Sequence, residues 1–316
     1  MWCAVSYNCV VILGPTAVGK TSIGVGVAHA LDGEIISADS RQTYRMLDIG
    51  SGKDLSEYTV DGKPVPYHLI DIISLPDEYT VYNYQQDFYK AFRDIIKRKK
   101  LPVVVGGTGM YLDSIVRDYQ LVNLPENPEL HAQLEATPLE ELAQRLLAEQ
   151  PELHVMADLQ EKERVIKALE IIEAKKLGYD TTSSARPEIK PFIIGTTLPR
   201  PVMWENISRR LRERLNGGML DEVQKIHQSG ITWERLEKLG LEYRYCSLFL
   251  QGKFESREIM EEKLFIAIRQ FAKRQETWFR MMEKKGVEIH WLTQTASKEE
   301  RIAEALKMIK ANFFRH

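Results

Sequence analysis

Short runs of apolar residues alternate along this chain with longer segments whose apolar positions recur at helical spacing. Short runs bounded by glycine or polar residues are typical of buried strands, whereas a 3.6-residue period is typical of amphipathic helices. The pattern predicts strands near residues 9–13, 33–40, 65–73, 187–200 and 286–292, and a strand, glycine turn and helix start over 101–111. It predicts helices near residues 21–31, 81–100, 138–149, 162–177, 203–228, 257–285 and 298–312. The alternation favours an α/β fold whose parallel sheet is covered by helices on both faces.

The character of the chain changes near residue 119, where a loop with two prolines precedes two helical segments. We interpret residues 119–185 as a small all-helical insertion. Residues 1–118 and 186–316 would then form one α/β catalytic domain, because the strand predicted at 187–200 returns the chain to the sheet.

The segment Val10–Ser22 combines a buried strand, a glycine-bounded loop and the start of a helix. The loop Gly14–Thr21 has the spacing G-x-x-x-x-G-K-[S/T] of a phosphate-binding loop. Its glycines let backbone N–H groups point at phosphate oxygens, Lys20 adds a positive charge, and Thr21 offers a hydroxyl to Mg²⁺. The predicted fold class is therefore a P-loop NTPase-like parallel sheet with a small all-helical insertion domain. The loop alone leaves open whether a nucleoside triphosphate or another diphosphate is bound.

Ligands of parallel sheets bind at the carboxyl ends of the strands. Three predicted strand ends carry polar residues, at Gly14–Thr21, Asp39–Gln42 and Gly106–Thr108, and we expect them to converge on one site. Asp39 by itself could be a Mg²⁺ ligand, a helix cap or a general base. Thr108 offers a hydroxyl beside a glycine turn that allows close backbone approach, and by itself indicates a structural role.

Two later helices are rich in basic residues. Arg210 and Arg214 share a helix face and could clamp an anion, or form a solvated basic face. Phe271 and Trp278 are seven residues apart on one face, which predicts that both pack in the core. The neighbouring cations, which would then face solvent, a phosphate or a nucleic-acid backbone, are Lys273, Arg274 and Arg280.

Composition narrows the class of protein. The 316 residues are 44% hydrophobic and 28% charged, as in a soluble globular protein of one large domain or two. No apolar run approaches the roughly 20 residues of a membrane span, and the N-terminus resembles no signal peptide. The three cysteines lack metal-ligand spacing, which indicates reduced, packed thiols and a cytoplasmic location. Nothing in the sequence implies a membrane or a protein partner.

The net charge of −2 conceals an uneven distribution. Residues 205–285 carry four more basic than acidic side chains, whereas residues 121–190 carry six fewer. Any nucleic-acid-binding surface is therefore expected within residues 205–285.

Seven segments, in this order, resemble the tRNA dimethylallyltransferase (tRNA isopentenyltransferase) family. They are GPTAVGKT at 14–21, ISADSRQTYRMLDIGSGKD at 36–54, YHLIDI at 67–72, VVGGTGMYLDSIV at 104–116, RVIKALEII at 164–172, RRLRERLNGGMLDEV at 209–223 and FAKRQETWFR at 271–280. Each segment alone has modest specificity, but their combination in this order is highly specific and covers most of the chain.

The resemblance implies transfer of a dimethylallyl group from dimethylallyl diphosphate to N6 of the adenosine 3′-adjacent to certain tRNA anticodons. Asp39 would be the base that deprotonates N6, Thr108 would contact the acceptor, and Lys20 would act on the donor. The phosphate-binding loop would hold the prenyl diphosphate rather than ATP, with Mg²⁺ on Thr21 and Asp39. The expected donor-binding residues are Gly14, Thr16, Ala17, Val18, Gly19, Lys20, Thr21 and Arg210.

The insertion resembles the part of the family that grips the anticodon stem, and the target base must leave its stack to react. The expected tRNA-contacting residues are Asp39, Ser40, Arg41, Gln42, Thr108, His131, Glu163, Arg164, Lys167, Lys273 and Arg274. The chain departs from the family pattern at His131, Lys167 and Asn206, where family members have arginines. It also departs in the segment GLEYRY at 240–245. A lysine keeps the charge of an arginine but loses its bidentate geometry.

Three other functions remain open at this point. They are a free adenylate isopentenyltransferase, an ATP-dependent small-molecule or nucleoside kinase, and a non-catalytic RNA-binding protein with a vestigial loop. The insertion and the basic C-terminal helix argue against a small acceptor, which needs neither. The intact Lys20, Thr21, Asp39 and Thr108 argue against a vestigial site.

Overall fold

The structure, a computed structural model, describes residues 7–119, 121, 127–149, 159, 162–178 and 186–313. The chain forms two compact units: unit 1 comprises Met1–Asp118 and Pro187–His316, and unit 2 comprises Tyr119–Arg186. Cys9 and Cys246 are buried free thiols, as expected, whereas Cys3 lies outside the described residues.

Unit 1 contains a six-stranded parallel sheet with the strand order β5–β2–β6–β1–β7–β8. The strands are β1 (Cys9–Leu13), β2 (Gly33–Ala38), β5 (Tyr67–His68), β6 (Leu101–Gly106), β7 (Pro191–Gly195) and β8 (His290–Trp291), while β3 (Thr59–Val60) and β4 (Lys63–Pro64) form a separate antiparallel pair. The strand predicted at 65–73 is short because Leu69 and Asp71 adopt positive φ angles of 63° and 56°, which turn the chain out of the sheet.

The helices begin and end close to the predicted positions in most cases. In chain order they are α1 (Lys20–Ala30), α2 (Val81–Lys97), α3 (Gly109–Val116), α4 (Pro128–Ala136), α5 (Leu139–Glu149), α6 (Lys162–Lys176), α7 (Arg200–Asn216), α8 (Met219–Gln228), α9 (Trp233–Glu237), α10 (Leu241–Leu250), α11 (Arg257–Lys284) and α12 (Lys298–Phe313), with a 3₁₀ helix at Leu55–Tyr58. None of these helices is both long and apolar enough to cross a membrane.

Both faces of the sheet are covered, as the pattern predicts. On β1, Val10 and Ile12 pack with Ile23 of α1, whereas Val11 and Leu13 belong to the core that also holds α2 and α3. Helix α12 packs on the same face as α1. Because β1 is buried on both sides, its sequence is an uninterrupted apolar run rather than an alternating one.

The helix predicted over residues 203–228 is in fact two helices, α7 and α8. Gly218 lies between them with φ of 99°, a conformation that favours glycine, so the chain changes direction there. The two glycines at 217–218 are the signal that could have located this break. Helices α7, α8, α10 and α11 then share one buried apolar cluster, which includes Leu211, Val223, Tyr243 and Leu264. Helices α9 and α10 were not predicted, nor was α4 in the insertion.

Unit 2 consists, in its described residues, of helices α4, α5 and α6 around a small leucine-rich core. Leu134 of α4, Leu142 and Leu146 of α5, and Val165 and Leu169 of α6 are each almost completely buried. This core is separate from the three apolar clusters of unit 1.

Candidate active site

The predicted phosphate-binding loop connects β1 to α1. The loop curls because Ala17 and Gly19 adopt left-handed φ angles of 63° and 83°. Gly14 packs against the backbone that follows β7, where a Cβ on residue 14 would lie 2.1 Å from the Thr196 carbonyl oxygen. Helix α1 begins at Lys20, so its unpaired N–H groups and positive dipole end face the loop. This arrangement suits the binding of phosphate groups.

Lys20 is the positive charge of this loop. Its ammonium donates a hydrogen bond to the Pro15 carbonyl oxygen at 2.6 Å, which folds the side chain back over the loop. Although part of the side chain reaches solvent, burial lowers the pKa of Lys20 to about 8, with Asp39 opposing this shift and Arg210 adding to it. Lys20 is therefore within electrostatic reach of both Asp39 and Arg210.

Gln275 is a site residue that sequence reasoning missed. The Thr16 backbone N–H donates to its side-chain oxygen at 2.9 Å, and its amide nitrogen donates to the Gly107 carbonyl at 2.8 Å. Gly107 must lack a side chain, because a Cβ there would lie 2.7 Å from that amide nitrogen. Gln275 thus joins the phosphate-binding loop to the turn after β6. It also occupies the Thr16 N–H, so a ligand contact of Thr16 would have to come from its side chain.

Asn206 contacts the same loop from α7. Its side-chain nitrogen donates to the Ala17 carbonyl oxygen at 3.2 Å, and its side-chain oxygen accepts from Arg209 at 3.1 Å. Asn206, which departs from the family pattern, therefore stabilises the left-handed turn of the loop at Ala17.

Asp39 and Thr108 lie side by side at the ends of neighbouring strands. The Thr108 N–H donates to Ala38 at 3.1 Å, and the Ser40 N–H donates to the Thr108 hydroxyl oxygen at 3.0 Å. One Asp39 carboxylate oxygen accepts the Arg41 N–H at 2.9 Å; the other accepts no hydrogen bond from any described residue. The predicted meeting of these two strand ends is thus present in the structure.

Arg210 and Arg214 lie next to each other but differ in their partners. Arg214 donates hydrogen bonds to the Gly50 carbonyl oxygen at 3.4 Å and to the Glu242 carboxylate at 3.3 Å, so its guanidinium already has partners within the protein. Arg210 is half-buried and makes no hydrogen bond or ion pair with the residues that the structure describes. Burial and the nearby Arg214 lower the pKa of Arg210, against the influence of Glu57, Glu242 and Asp39. Of the predicted arginine pair, Arg210 is the one without a partner among the described residues.

The other predicted contacts of unit 1 divide into two groups. Arg41 and Gln42 contact other residues of unit 1. The Arg41 side chain packs on Gly240, where a Cβ on residue 240 would lie 3.1 Å from the Arg41 Nε. The Gln42 side-chain oxygen accepts a hydrogen bond from the Ser37 hydroxyl at 3.4 Å. Lys273 and Arg274 are exposed on α11, at some sequence distance from the loop.

The prediction that Phe271 packs in the core is wrong. Its ring is 39% exposed, and the Arg274 guanidinium lies 5.8 Å from its centroid. Trp278, two turns later on the same face, does pack, because Gly109 leaves room for its ring. The seven-residue spacing identifies a shared face, but only the neighbouring elements decide how far along α11 that face is covered.

In unit 2, two of the residues that depart from the family pattern share one carboxylate. Glu170 accepts from the His131 ring at 2.9 Å and from the Lys167 ammonium at 3.2 Å. Glu163 and Arg164 are exposed on the first turn of the same helix, α6. The predicted contacts of the insertion thus lie on α4 and α6.

The candidate metal ligands are few. No group of three or more His, Cys, Asp or Glu side chains among the described residues is arranged to hold a metal ion. The Thr21 hydroxyl and one Asp39 oxygen carry no hydrogen bond within the described part of the chain. Such a sparse set suits Mg²⁺, which takes most of its ligands from phosphate and water.

The lowered pKa of Lys20 predicts that anion binding to this loop depends on pH. The protonated ammonium attracts phosphate, so affinity for inorganic pyrophosphate should fall as the pH rises through about 8. Between pH 7 and pH 9 we expect a loss of roughly fivefold to tenfold, measured by calorimetry. Lys20→Arg stays charged over this range and is the matched control. An equal loss in that variant would exclude Lys20 as the titrating group.

Comparisons with known proteins identify the family of this chain. The family model described as IPP transferase matches residues 42–282, and the one described as isopentenyl transferase matches residues 7–62. A tRNA dimethylallyltransferase of Treponema denticola is 51% identical to this chain over 289 residues, which are 90% of this chain and 96% of the relative.

Two solved structures share the fold. A tRNA isopentenylpyrophosphate transferase from Bacillus halodurans is 30% identical, with 98% of this chain and 97% of that chain covered and a TM-score of 0.71. A eukaryotic dimethylallyltransferase, in structures described as showing it acting on tRNA, is 22% identical to this chain, with a TM-score of 0.75. The match covers 97% of this chain and 80% of that chain, and at this identity it supports the fold alone. The identity to curated relatives and the extent of the family match confirm the resemblance: this chain belongs to the IPP transferase family.

Proposed function

We propose that this protein transfers the dimethylallyl group of dimethylallyl diphosphate to N6 of the adenosine 3′-adjacent to the anticodon in tRNA. The observation that carries this proposal is that the phosphate-binding loop and the strand ends with Asp39 and Thr108 are joined by hydrogen bonds, through Gln275 and Ser40. The loop offers a place for a diphosphate, and Asp39 offers a carboxylate to an amine acceptor. The prenyl diphosphate as co-substrate follows from the family.

The donor site is assigned to the loop and Arg210. The loop N–H groups and Lys20 would hold the diphosphate, and Arg210 would contribute the charge that no carboxylate of the described chain neutralises. When the allylic C–O bond breaks, its electron pair leaves with the diphosphate. Cations already in place stabilise that developing charge without reorganisation.

Asp39 is assigned as the base. The N6 nitrogen forms a bond to the allylic carbon and loses a proton, which the free Asp39 oxygen accepts. The other oxygen is fixed by the Arg41 N–H, so the carboxylate is oriented before the acceptor arrives. The Thr108 hydroxyl, whose oxygen already accepts from Ser40, would orient the adenine. Because the exocyclic amine is a poor nucleophile, alignment supplies much of the acceleration.

Mg²⁺ is proposed as a cofactor. Thr21 and the Asp39 oxygen that accepts the Arg41 N–H would hold it together with diphosphate oxygens, which leaves the other Asp39 oxygen free for the N6 proton. Mg²⁺ would neutralise charge on the leaving diphosphate. We place the enzyme in the cytoplasm, in keeping with the free buried thiols of Cys9 and Cys246.

The tRNA contacts are assigned to both units. Ser40, Arg41 and Gln42 follow Asp39 directly and would meet the nucleotide at the reaction site, while Lys273 and Arg274 offer exposed charge on α11. In unit 2, we assign contacts to the anticodon stem to His131, Glu163, Arg164 and Lys167.

A transfer assay tests the function directly. Purified protein, Mg²⁺ and labelled dimethylallyl diphosphate are offered an anticodon stem-loop with an A-A-A run, AMP, or ATP with nucleosides. We expect label in the stem-loop only. Label in AMP alone would indicate a free adenylate isopentenyltransferase, and ATP consumption without prenyl transfer would indicate a kinase; either result would overturn the proposal.

Replacing the base should separate chemistry from binding. We expect Asp39→Asn to lower kcat by roughly 10²- to 10⁴-fold, the usual contribution of a positioned base, while tRNA affinity stays within a few-fold. The assay is run at pH 7, because Asp39 also raises the pKa of Lys20. Asp61→Asn, in an exposed turn, is the control. Parallel losses of kcat and tRNA binding would argue against the assignment.

Removing a cation from α6 should weaken RNA binding selectively. We expect Arg164→Ala to raise the tRNA Kd by roughly threefold to tenfold, with a decrease in the salt dependence of binding and little change in the KM for the prenyl donor. Lys175→Ala, also exposed on α6 but near its end, is the matched control. An effect confined to the donor KM would show that unit 2 has another role.

A further inference from the structure

Arg301 is a buried cation at the back of the phosphate-binding loop. It lies in the first turn of α12 and is only 6% exposed. One guanidinium nitrogen, Nη1, donates to the Val18 carbonyl oxygen at 2.9 Å and to the Thr196 hydroxyl at 3.0 Å. A second, Nη2, lies 3.8 Å from where a Cβ on Gly19 would be. The side chain thus reaches the two residues that precede Lys20.

No carboxylate forms an ion pair with this guanidinium among the residues that the structure describes, and its Nε has no hydrogen-bond partner there. Glu299 acts on Arg301 only at a distance, where it raises the pKa that burial lowers. A buried charge without a counter-ion is costly. Structural arginines in protein interiors are usually paired, and Arg301 is instead bonded to two neutral oxygens. The missing negative charge is one that a ligand of the loop would bring.

The hydrogen bond from Arg301 to the Val18 carbonyl oxygen also affects the Gly19 N–H. The Val18 carbonyl and the Gly19 N–H belong to one peptide group, so a cation bonded to the carbonyl polarises that N–H. The N–H groups of such a loop are its phosphate donors. The contact to Thr196 fixes the guanidinium in turn, because the Thr196 N–H donates to Leu13 at 2.8 Å and its backbone packs on Gly14.

We propose that Arg301 is a positioning residue for the prenyl diphosphate, which fixes and polarises the Val18–Gly19 peptide and supplies cationic charge behind the loop. Arg301 lies beyond residue 282, the last residue that the IPP transferase model matches, so the family comparison assigns it no role. The proposal rests on the proposed function for the identity of the donor. The anion site itself can be tested without the prenyl-transfer reaction.

The main experiment is calorimetric titration of the full-length protein with inorganic pyrophosphate in the presence of Mg²⁺. We expect Arg301→Met to weaken binding by about tenfold or more, the typical worth of a charge-assisted contact, at unchanged stoichiometry. Arg301→Lys keeps the charge but loses the forked contact and should recover part of the affinity. A merely structural role would lower the stoichiometry, as some molecules unfold, and leave the Kd of the folded remainder unchanged.

Two controls separate charge from packing. Ile302→Ala removes a side chain that packs on Gly26 of α1, so it should lower Tm without changing pyrophosphate affinity more than about twofold. Lys310→Met removes one exposed positive charge from the same helix and should have no effect on either quantity. If Arg301→Met is too unstable to purify, Thr196→Val and Arg301→Lys must show a reduced affinity for the proposal to stand.

Steady-state kinetics provide a second readout. Because charge on the diphosphate grows as the allylic bond breaks, Arg301→Lys should raise the KM for dimethylallyl diphosphate and also lower kcat, with tRNA Kd unchanged. Unaltered pyrophosphate affinity in Arg301→Met and Arg301→Lys would overturn the inference. A wild-type protein that binds pyrophosphate but transfers no prenyl group would instead overturn the proposed function and leave this inference standing.

Discussion

The conformation of the phosphate-binding loop is the constraint on which the rest of the site depends. The loop contains two left-handed residues, Ala17 and Gly19, and only the second is a glycine. A left-handed non-glycine residue persists when surrounding contacts stabilise it. Those contacts come from three helices of unit 1: Asn206 of α7, Gln275 of α11 and Arg301 of α12 bind the Ala17 carbonyl, the Thr16 N–H and the Val18 carbonyl.

The same contacts determine where the reacting groups lie. Gln275 bonds both the loop and the Gly107 carbonyl, and Gly107 immediately precedes Thr108. Thr108 in turn is bonded to Ala38 and Ser40, on either side of Asp39. The phosphate-binding loop and the proposed base are therefore connected through a short series of hydrogen bonds, which fixes their separation. Such fixed geometry is what a reaction limited by alignment requires.

Positive charge in excess of negative charge is the second property of this site. Lys20 bonds a backbone carbonyl, Arg210 bonds none of the described residues, and Arg301 bonds two neutral oxygens. Burial lowers the pKa of each of these groups, which shows the cost of keeping them charged in the free protein. A diphosphate bound in this loop would relieve that cost. In unit 2 the balance differs, because His131 and Lys167 are both paired with Glu170, so an RNA bound there would compete with a carboxylate.

The sequence by itself determined the fold class, the loop and the polar residues at the strand ends, because these depend on local spacing, and its seven segments in order carried the resemblance to the family. A buried strand followed by a glycine loop and a helix is specified within a few residues of Gly14, and the carboxyl ends of parallel strands meet whatever lies between them. Only the tertiary structure decided which side chains support the loop. The Thr16–Gln275 and Val18–Arg301 contacts join residues 259 and 283 positions apart, and no periodicity carries such information. For the same reason helical spacing placed Phe271 in the core and could not distinguish Arg210 from Arg214, which only the family resemblance separated: exposure and pairing depend on which elements pack against a helix face.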